Sequence, residues 1–237
     1  MKLRLQITKE SGIRFISHLE YLKTLEKAIR RARIPVAYSQ GFNPHMKFSL
    51  ASALSVGVTS RCEFLEIYLR EKRPLAGLVE DLRHNLPMGI HIIRADLADD
   101  KAPKLMAAAA GASYHVIIPC GADPASAIAA YEAAESAPYT KHHGKAKGKE
   151  KNKVIDAKAY IPAVSYTWNG ETLELDFDIR ITPTGSMKAS EFLELLSGSF
   201  GLPLALTRAD IARTDLYGED ANGHKRPLIS EEEAIKD

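Results

Sequence analysis

The sequence predicts an α+β protein made of two tandem ferredoxin-like (βαββαβ) domains with antiparallel sheets, at residues 1–97 and 112–217. Two observations lead to this fold class. Residues 1–97 show patterns typical of a strand, a helix, two strands, a helix and a strand, and the same order starts again near residue 112. A stretch rich in Ala, Asp and Lys at residues 98–111 lies between the two halves, and we interpret it as a linker.

The first strand and the first helix have the clearest patterns. In residues 2–8, apolar and polar side chains alternate, which is typical of a strand covered on one side. Ser17 and Glu20 have the spacing of a capping box, which predicts the start of a helix, and Pro35 ends the helical pattern. The apolar stripe of this helix comprises Leu19, Leu22, Leu25, Ile29 and Ala32, and its other face carries Lys23, Lys27, Arg30, Arg31 and Arg33.

The rest of the first domain is predicted from apolar runs. Residues 48–56 and 62–69 predict a hairpin, with residues 57–61 as its loop. A helical pattern at residues 74–86 and a strand pattern at residues 90–95 complete the domain.

The second domain repeats this order of elements. Residues 114–119 form a strand-like run, and Asp123 followed by Pro124 predicts the start of an alanine-rich helix that ends near residue 136. The later elements are predicted as strands at residues 153–164 and 173–182, a helix around Phe192 and a last strand at residues 202–208. Residues 218–237 are polar and are predicted to form a frayed tail.

Composition narrows the class of protein. Apolar residues at 45% and charged residues at 26% are typical of a soluble globular protein, and a net charge of +2 gives no global signal of nucleic-acid binding. Cys62 and Cys120 each lie in an apolar run, which predicts buried, reduced thiols and a cytoplasmic protein. The N-terminus lacks the apolar segment of a signal peptide, and no run approaches the roughly 20 residues that span a bilayer, so we expect no membrane association.

The segment at residues 38–47 is the first candidate binding site, because it combines loop formers with side chains able to hydrogen-bond. Gly41 and Pro44 favour a stiff loop, and Phe42 is available to stack on a base. The alternative is that Phe42 fills the core and His45 caps a helix or strand end. We expect cationic side chains from separate parts of the chain to converge at this loop. The candidate binding residues here are Arg14, His18, Gln40, Gly41, Phe42, Asn43, Pro44, His45 and Lys47, with Arg30 and Arg31 of the helix.

Catalysis has weaker signals. His45 and His18 are candidates for an acid–base pair, because the unperturbed pKa of histidine is near neutrality. The eight histidines lack the spacing of a metal site, and we expect no metal or cofactor. The sequence has no Walker loop, no GxGxxG and no CxxxCxxC, which disfavours an ATPase, a Rossmann enzyme and a self-contained radical SAM enzyme.

Two carboxylate pairs are further candidates for a site. Asp176 and Asp178 share one face of a strand, and we interpret them as its water-facing side rather than as a metal site. Glu63 and Glu66 fall on opposite faces of their strand, so one of them is able to point inward and pair with Arg14 or Lys47.

The lysine-rich segment at residues 141–153 is the second candidate binding site. It carries six lysines and one glutamate, and it has too few apolar residues to fold by itself. We interpret it as a mobile loop whose Lys145, Lys147 and Lys149 neutralise phosphates. The alternative is a solvated insertion that only maintains solubility.

Several segments carry a family resemblance. They are Arg14-Phe15-Ile16-Ser17-His18-Leu19, Tyr38-Ser39-Gln40-Gly41-Phe42-Asn43-Pro44-His45 with Lys47, Val56-Gly57-Val58 through Glu63, Asp156 with Tyr160, and Arg213-Thr214-Asp215-Leu216-Tyr217. Over most of residues 1–217 the chain resembles the radical SAM-linked protein family, a domain of unknown function found fused to, or encoded beside, cobalamin-binding radical SAM enzymes. Two features depart from the pattern: Met46 stands where the family typically has proline, and the lysine-rich segment looks like an insertion.

The resemblance implies a partner role for a radical SAM protein, and the neighbouring genes of the family imply an RNA or ribosome context. We therefore expect a radical SAM-associated accessory protein, without independent catalytic activity, that binds RNA (tRNA or rRNA) or presents a substrate to the partner enzyme. One alternative is an RNA-processing or RNA-modifying enzyme that uses His45 and His18. Another is a protein-interaction module that binds no nucleic acid.

Overall fold

The computed structural model describes residues 1–146, 149–183 and 185–229, with the backbone alone for residues 142–146 and 149–151. It shows a mixed α+β protein whose strands are mostly antiparallel. The chain forms two compact units. Unit 1 comprises Met1–Ala110 and the C-terminal segment that begins at Arg213, and unit 2 comprises Gly111–Ala212.

The elements follow one another as strands and short to medium helices. In chain order they are β1 (Lys2–Lys9), α1 (His18–Arg31), β2 (Phe48–Leu50), β3 (Val58–Tyr68), α2 (Leu75–Arg83), β4 (Ile92–Ala98), α3 (Leu105–Ala108), β5 (Gly111–Pro119), α4 (Ala125–Ala133), β6 (Pro138–Ala146), β7 (Lys149–Asp156), β8 (Val164–Trp168), β9 (Thr172–Arg180), α5 (Ala189–Ser199), β10 (Asp210–Glu219) and β11 (Lys225–Pro227). No helix in the described ranges is both long and apolar enough to cross a membrane.

The sheet of unit 1 has β1 in a central position. β1 pairs antiparallel with β3 on one side and with β4 on the other, so that Leu5 lies opposite both Leu65 and Ala95. β2 and β10 lie along the other edge of β3, and β11 pairs with β10. The apolar residues of β1 and β3 pack against α1 and α2 in one core. Alternate residues, including Gln6, Phe64 and Arg94, therefore belong to the opposite face of this sheet.

Helix α1 begins where its capping box predicts. The Ser17 hydroxyl accepts a hydrogen bond from the Glu20 backbone N–H at 3.2 Å, and the Glu20 carboxylate accepts one from the Ser17 N–H at 2.7 Å. Leu25 and Ile29 are buried as expected, but Leu19 in the first turn is exposed. The predicted stripe is thus wrong at Leu19, because the sheet lies under the middle of the helix rather than under its start.

The predicted hairpin of unit 1 has different bounds from the real one. β2 ends at Leu50, and the strand that follows already begins at Val58, so residues 57–61 are not its loop. β3 is long because β1, β2 and β10 all pair with it. Cys62 on this strand and Cys120 in unit 2 are both buried free thiols, as predicted, and burial raises the pKa of Cys62 to about 12.

Unit 2 contains the sheet β5-β9-β8, in which β9 pairs antiparallel with both neighbours. Phe192 of α5 packs against Phe177 of β9 and Tyr131 of α4, with ring centroids 4.8 Å and 5.1 Å apart. Both helices therefore contribute to one core. Asp176 is exposed and pairs with His115 at 2.8 Å, while Asp178 accepts from Ser113 at 2.6 Å, so the two carboxylates hold cross-strand polar pairs.

Three predictions for unit 2 are wrong. The predicted strand at residues 153–164 is divided, since β7 ends at Asp156 and β8 begins at Val164. Residues 202–208 form an isolated bridge at Leu204 and a short 3-10 helix rather than a strand. Residues 138–146 and 149–156, which include most of the lysine-rich segment, pair as the antiparallel hairpin β6–β7, where the sequence predicts a mobile loop. The two strands satisfy each other's backbone N–H and C=O groups. The segment can therefore form strands although it has few apolar residues.

The ends of the predicted domains also differ from the compact units. The predicted linker at residues 98–111 contains the one-turn helix α3, whose Leu105 is buried. The predicted polar tail starts inside β10, and its residues Lys225–Pro227 pair with that strand as β11. Leu228 and Ile229 are buried, so the packing of these two side chains fixes this part of the tail against the rest of unit 1. Residues 230–237 of the predicted tail lie outside the described residues.

Candidate functional site

Residues 38–47 form a closed loop that projects from unit 1. The backbone N–H of Ser39 donates to the His45 carbonyl at 2.8 Å, and the His45 N–H donates back to the Ser39 hydroxyl at 3.0 Å. Tyr38 and Met46 form a β-bridge below these bonds. Gly41 at the tip has φ of 130°, a conformation that other residues rarely adopt. The loop is thus held at its base by hydrogen bonds and leaves its tip free.

The side chains at the tip face solvent. Phe42 is fully exposed, so the alternative that it fills the core is wrong. The other predicted binding residues of the loop are exposed as well: Gln40, Gly41, Asn43, Pro44, His45 and Lys47. Because the fully exposed Phe42 ring buries no surface within the fold, it is available for contact with a ligand.

Cationic residues lie at the same end of unit 1 as this loop. The chain leaves α1 through Arg33, which has φ of 50°, and Val36 then forms a bridge to Leu69. The Arg70 N–H donates to the Pro35 carbonyl at 2.9 Å, which places Arg70 beside the same connection. We call this region, residues 33–47 with Arg30, Arg31 and Arg70, the loop end.

The cations of the loop end differ in their partners. Arg30 pairs with Glu26 at 2.9 Å, and the Arg31 guanidinium donates to the Asn85 carbonyl at 2.7 Å. Arg33, Lys47 and Arg70 make no ion pair with any residue in the described ranges. Three positive charges at this end are therefore available to an anionic partner.

Arg14 and His18 do not lie beside the loop, which corrects the expectation that all these residues share one pocket. Lys47 is bonded at Tyr68, the last residue of β3, whereas Arg14 is bonded to Gly57, just before β3 begins. The register of β1 against β3 separates Ser60 from Tyr68 by eight strand positions, or roughly 26 Å. His18 and His45 consequently belong to opposite ends of unit 1 and do not form one acid–base pair.

Arg14 and His18 belong instead to what we call the helix-start end, the region of residues 9–19, 56–63 and Arg213. The Arg14 Nε donates to the Gly57 carbonyl at 2.6 Å, and the Gly57 N–H donates to the Arg14 carbonyl at 2.8 Å. The buried Lys9 ammonium donates to the carbonyls of Arg14 and Ile16, each at 3.1 Å. Segments that carry the family resemblance and are far apart in the sequence therefore meet at this end.

Buried charges lie beneath the helix-start end. Arg213 Nε donates to Glu63 Oε1 at 3.1 Å, and both side chains are only 1% exposed. The second carboxylate oxygen, Oε2, has no hydrogen-bond partner among the described residues. Burial lowers the pKa of Lys9 and that of His18, and the Glu63 charge opposes both shifts. His18 is half-buried above this cluster.

The partners of Glu63 and Glu66 correct the sequence expectation. Both carboxylates are buried, whereas one was expected inside, and neither pairs with Arg14 or Lys47 in the contacts described. Glu66 binds Arg4 at 3.0 Å and lies 4.0 Å from Lys2. Sequence reasoning missed Lys9 and Arg213 as part of the site. Arg213 lies in a segment that carries the family resemblance, and that position is the sequence signal from which its role could have been predicted.

Exposed apolar side chains surround the helix-start end. Phe15 packs over Gly57 and is 75% exposed, and Leu19, one helical turn further on, is 68% exposed. Val56 is adjacent to Gly57, and Met88 is adjacent to Gly89, whose carbonyl accepts from the Glu10 N–H at 3.0 Å. We call Phe15, Leu19, Val56 and Met88 the apolar set. Exposed apolar side chains that share one region are typical of a protein-binding surface.

The remaining predicted binding residues belong to unit 2. Lys145 and Lys149 lie in β6 and β7, but their side chains, and all of Lys147, lie outside the described residues. Among the residues that the structure describes, no three His, Cys, Asp or Glu side chains are grouped so as to hold a metal ion.

Comparison with known proteins gives a family and a set of structural likenesses. A family described as "Uncharacterized protein conserved in bacteria (DUF2344)" matches residues 2–189. A search of curated proteins finds no match. A chain in the crystal structure of a Cbf5-Nop10-Gar1 complex is similar over 92% of this chain and 50% of that chain, with 10% sequence identity and a TM-score of 0.49. This protein thus spans about half the length of that chain. Because the family match covers most of the sequence, the chain belongs to the DUF2344 family of uncharacterized proteins conserved in bacteria.

Proposed function

We propose that this protein is an RNA-binding accessory protein, and that the loop end of unit 1 is its RNA contact. One observation carries the proposal: Phe42 is fully exposed at the tip of a hydrogen-bonded loop, at the same end as Arg33, Lys47 and Arg70. Single-stranded RNA is bound by aromatic side chains that stack on bases and by cations that contact phosphates. Both components are present within one region.

The proposed contact reads RNA with little sequence preference. A phenylalanine ring stacks on any base, and arginine and lysine neutralise phosphates without reading base identity. Gln40 and Asn43 at the tip add amide groups that are able to hydrogen-bond to a base edge. The lysine-rich segment at residues 141–153 is included in the proposal as a second, sequence-independent contact.

We propose a cytoplasmic radical SAM protein as the partner, as the sequence resemblance implies. The apolar set at the helix-start end is the surface we assign to this partner, since protein interfaces bury apolar side chains in their centres. RNA binding at one end and partner binding at the other would present an RNA substrate to an enzyme that performs the reaction. The protein itself then needs no catalytic activity, and the separation of His18 from His45 agrees with this role.

The experiment measures fluorescence anisotropy of a short, labelled single-stranded RNA with the full chain. Phe42→Ala is expected to weaken binding about tenfold, because stacking on one aromatic ring contributes about 1–3 kcal/mol. The thermal midpoint should not change, since the ring is fully exposed. Phe15→Ala is the matched control, because this exposed ring lies at the other end of unit 1. Wild-type protein that binds no RNA at low salt, or equal losses for the two variants, would refute the proposal.

Protein binding is tested separately. Co-purification with a radical SAM protein after ribonuclease treatment should be lost in Phe15→Ser/Leu19→Ser and retained in Phe42→Ala. Loss in Phe42→Ala alone would place the partner at the loop end and contradict the division of roles.

We further propose that each unit is a variant of the ferredoxin-like arrangement. In unit 1 the elements β1, α1, β2, β3, α2 and β4 have the required order, and β4, β1, β3 and β2 are neighbours in that sequence. In unit 2 the elements β5, α4, β8, β9 and α5 follow the same order, with the hairpin β6–β7 inserted.

A further inference from the structure

A cavity of about 260 Å³ lies on the face of the unit 1 sheet that is opposite α1 and α2. Gln6, Phe64 and Arg94 form its floor on β1, β3 and β4. The hairpin β10–β11 and the residues after it form the wall, with Tyr217, Lys225, Arg226, Pro227 and Ile229 among the lining residues. This site is separate from both the loop end and the helix-start end, since it uses the opposite face of the sheet from α1.

The charges around this cavity are unbalanced. Three cations, Arg94, Lys225 and Arg226, line it together with a single carboxylate, Asp215. Arg226 also lies 3.5 Å from Asp220, and the Lys225 ammonium lies 4.4 Å from the centre of the Tyr217 ring. With Asp220 counted as the partner of Arg226, three cations face two carboxylates, and the excess of one positive charge favours an anion such as a phosphomonoester, which carries a charge of about −1.5 to −2 at neutral pH.

Arg94 is the residue that points most directly to a ligand. It is half-buried, yet its guanidinium makes no hydrogen bond or ion pair with any residue in the described ranges. The guanidinium is therefore open to an incoming anion, which would accept hydrogen bonds that Arg94 does not donate within the described part of the protein. The planar guanidinium presents paired N–H donors that fit two oxygens of a phosphate at once.

The rest of the lining sets the size and character of the ligand. Phe64, Leu216, Pro227 and Ile229 give the cavity apolar walls, which a bare phosphate would not use. The volume also exceeds that of one phosphate group and is comparable to that of a mononucleotide. Ligand sites of this kind combine apolar walls with a few polar groups that fix orientation.

We propose that this cavity binds the phosphate group of a mononucleotide-sized phosphomonoester, with Arg94 as its central contact. The ligand is either a free nucleotide or the phosphorylated terminal nucleotide of an RNA, and both present the same phosphate. The inference does not rest on the RNA-binding role of the loop end, because the two sites share no residue.

The test is isothermal titration of the full chain with AMP, adenosine and inorganic phosphate. AMP should bind more tightly than phosphate, and adenosine should not bind. Arg94→Ala should weaken AMP binding at least about tenfold, because a charge-assisted bidentate contact is lost. Arg83→Ala is the control, since this arginine lies on the surface of α2 and pairs with Glu80 at 3.4 Å. Equal affinities of the two variants would overturn the proposal.

A second variant gives a result that a structural role does not predict. Asp215→Asn removes the single carboxylate of the lining and keeps the oxygen that accepts from the Leu216 N–H at 2.8 Å. AMP should bind this variant several-fold more tightly, and unchanged or weaker binding would contradict the proposal even if Arg94→Ala does not fold.

A competition experiment separates the two sources of the phosphate. A short RNA with a 5′-phosphate that displaces AMP, while the 5′-hydroxyl form does not, identifies the terminal nucleotide of an RNA. AMP binding without displacement by either RNA identifies a free nucleotide. Wild-type protein that binds neither AMP nor phosphate at millimolar concentration refutes the site. Loss of RNA binding in Phe42→Ala with AMP binding intact would show that the two sites bind their ligands independently.

Discussion

The buried pair of Glu63 and Arg213 dominates unit 1 at the scale of single residues. Both side chains are 1% exposed, and burial of an ion pair is costly unless geometry and hydrogen bonds are good. The free Oε2 of Glu63 shows that this cluster is not fully satisfied among the described residues. A buried ion pair is therefore not by itself evidence of added stability.

Removal of one partner of this pair should strongly destabilise the folded protein. Arg213→Leu leaves Glu63 buried without its ion-pair partner and is expected to lower the free energy of unfolding by about 3–5 kcal/mol. The double variant Glu63→Met/Arg213→Leu should recover most of this loss, because neither member of the pair is then left without its partner. Urea denaturation monitored by circular dichroism measures both. A double variant as unstable as the single one would show that the pair contributes packing rather than charge compensation.

His18 gives stability a pH dependence. Burial lowers the pKa of His18, while Lys9 and Arg213 lower it further and Glu63 raises it. The unfolded chain takes up a proton below pH 6.5, the ordinary pKa, whereas folded His18 takes one up only at a lower pH. Stability should therefore fall as the pH drops below 6.5 towards the folded pKa. The urea midpoint between pH 7.5 and 5.5 should fall less in His18→Gln, while the control His45→Gln should behave as wild type.

At the scale of elements, α1 links the two ends of unit 1. Its capping box lies at the helix-start end, and its last turn carries Arg30 and Arg31 at the loop end. The helix also packs Leu25 and Ile29 into the core. Any change that loosens the first turn of α1 therefore acts on the surroundings of His18 and on the fold together.

The capping box is open to a direct test. Ser17→Ala removes one hydrogen bond to the first turn and should lower the free energy of unfolding by about 1 kcal/mol. Ser11→Ala, an exposed serine with no side-chain hydrogen bond in the described contacts, should change it by much less. Thermal and urea denaturation compare the two. Equal effects would mean that the cap does not stabilise α1.

At the scale of the whole molecule, unit 1 depends on a segment that follows unit 2 in sequence. β10 lies along β3, Arg213 compensates Glu63, and the Ala110 N–H donates to the Tyr217 carbonyl at 2.8 Å. The first half of the sequence therefore does not contain all the residues of unit 1. Insertion of one unit into another makes folding of unit 1 depend on contacts of high sequence separation.

Truncation tests this dependence. A chain that ends at Ala212 loses the partner of Glu63 and a neighbour of β3, so we expect unit 1 to lose its cooperative unfolding transition and to aggregate. A chain that ends at Ile229 keeps these contacts and serves as the control. Wild-type denaturation behaviour in the shorter chain would show that unit 1 is complete without β10.

RNA affinity should depend on local rather than net charge, since the net charge is only +2. Each phosphate neutralised on a single strand contributes about 0.7 to the slope of log affinity against log salt. Replacement of Arg33, Lys47 and Arg70 by alanine should therefore reduce the magnitude of this slope by about 2. Anisotropy titrations at several salt concentrations measure the slope, and the triple replacement of Lys101, Lys104 and Lys188 is the control. Equal slopes for the two variants would exclude the loop end as the phosphate contact.

Sequence by itself determined the local features of this protein. The capping box fixed the start of α1, alternation identified β1 and β9, and the density of turn formers identified the exposed loop at residues 38–47, because each pattern depends on neighbours within a few residues. Tertiary structure decided which of these features lie together. Arg14, His18, Glu63 and Arg213 meet only because β1, β3 and β10 pair in one register, and the same register places His45 at the far end. Strand pairing is set by burial across the whole unit, so a sequence read locally does not contain it.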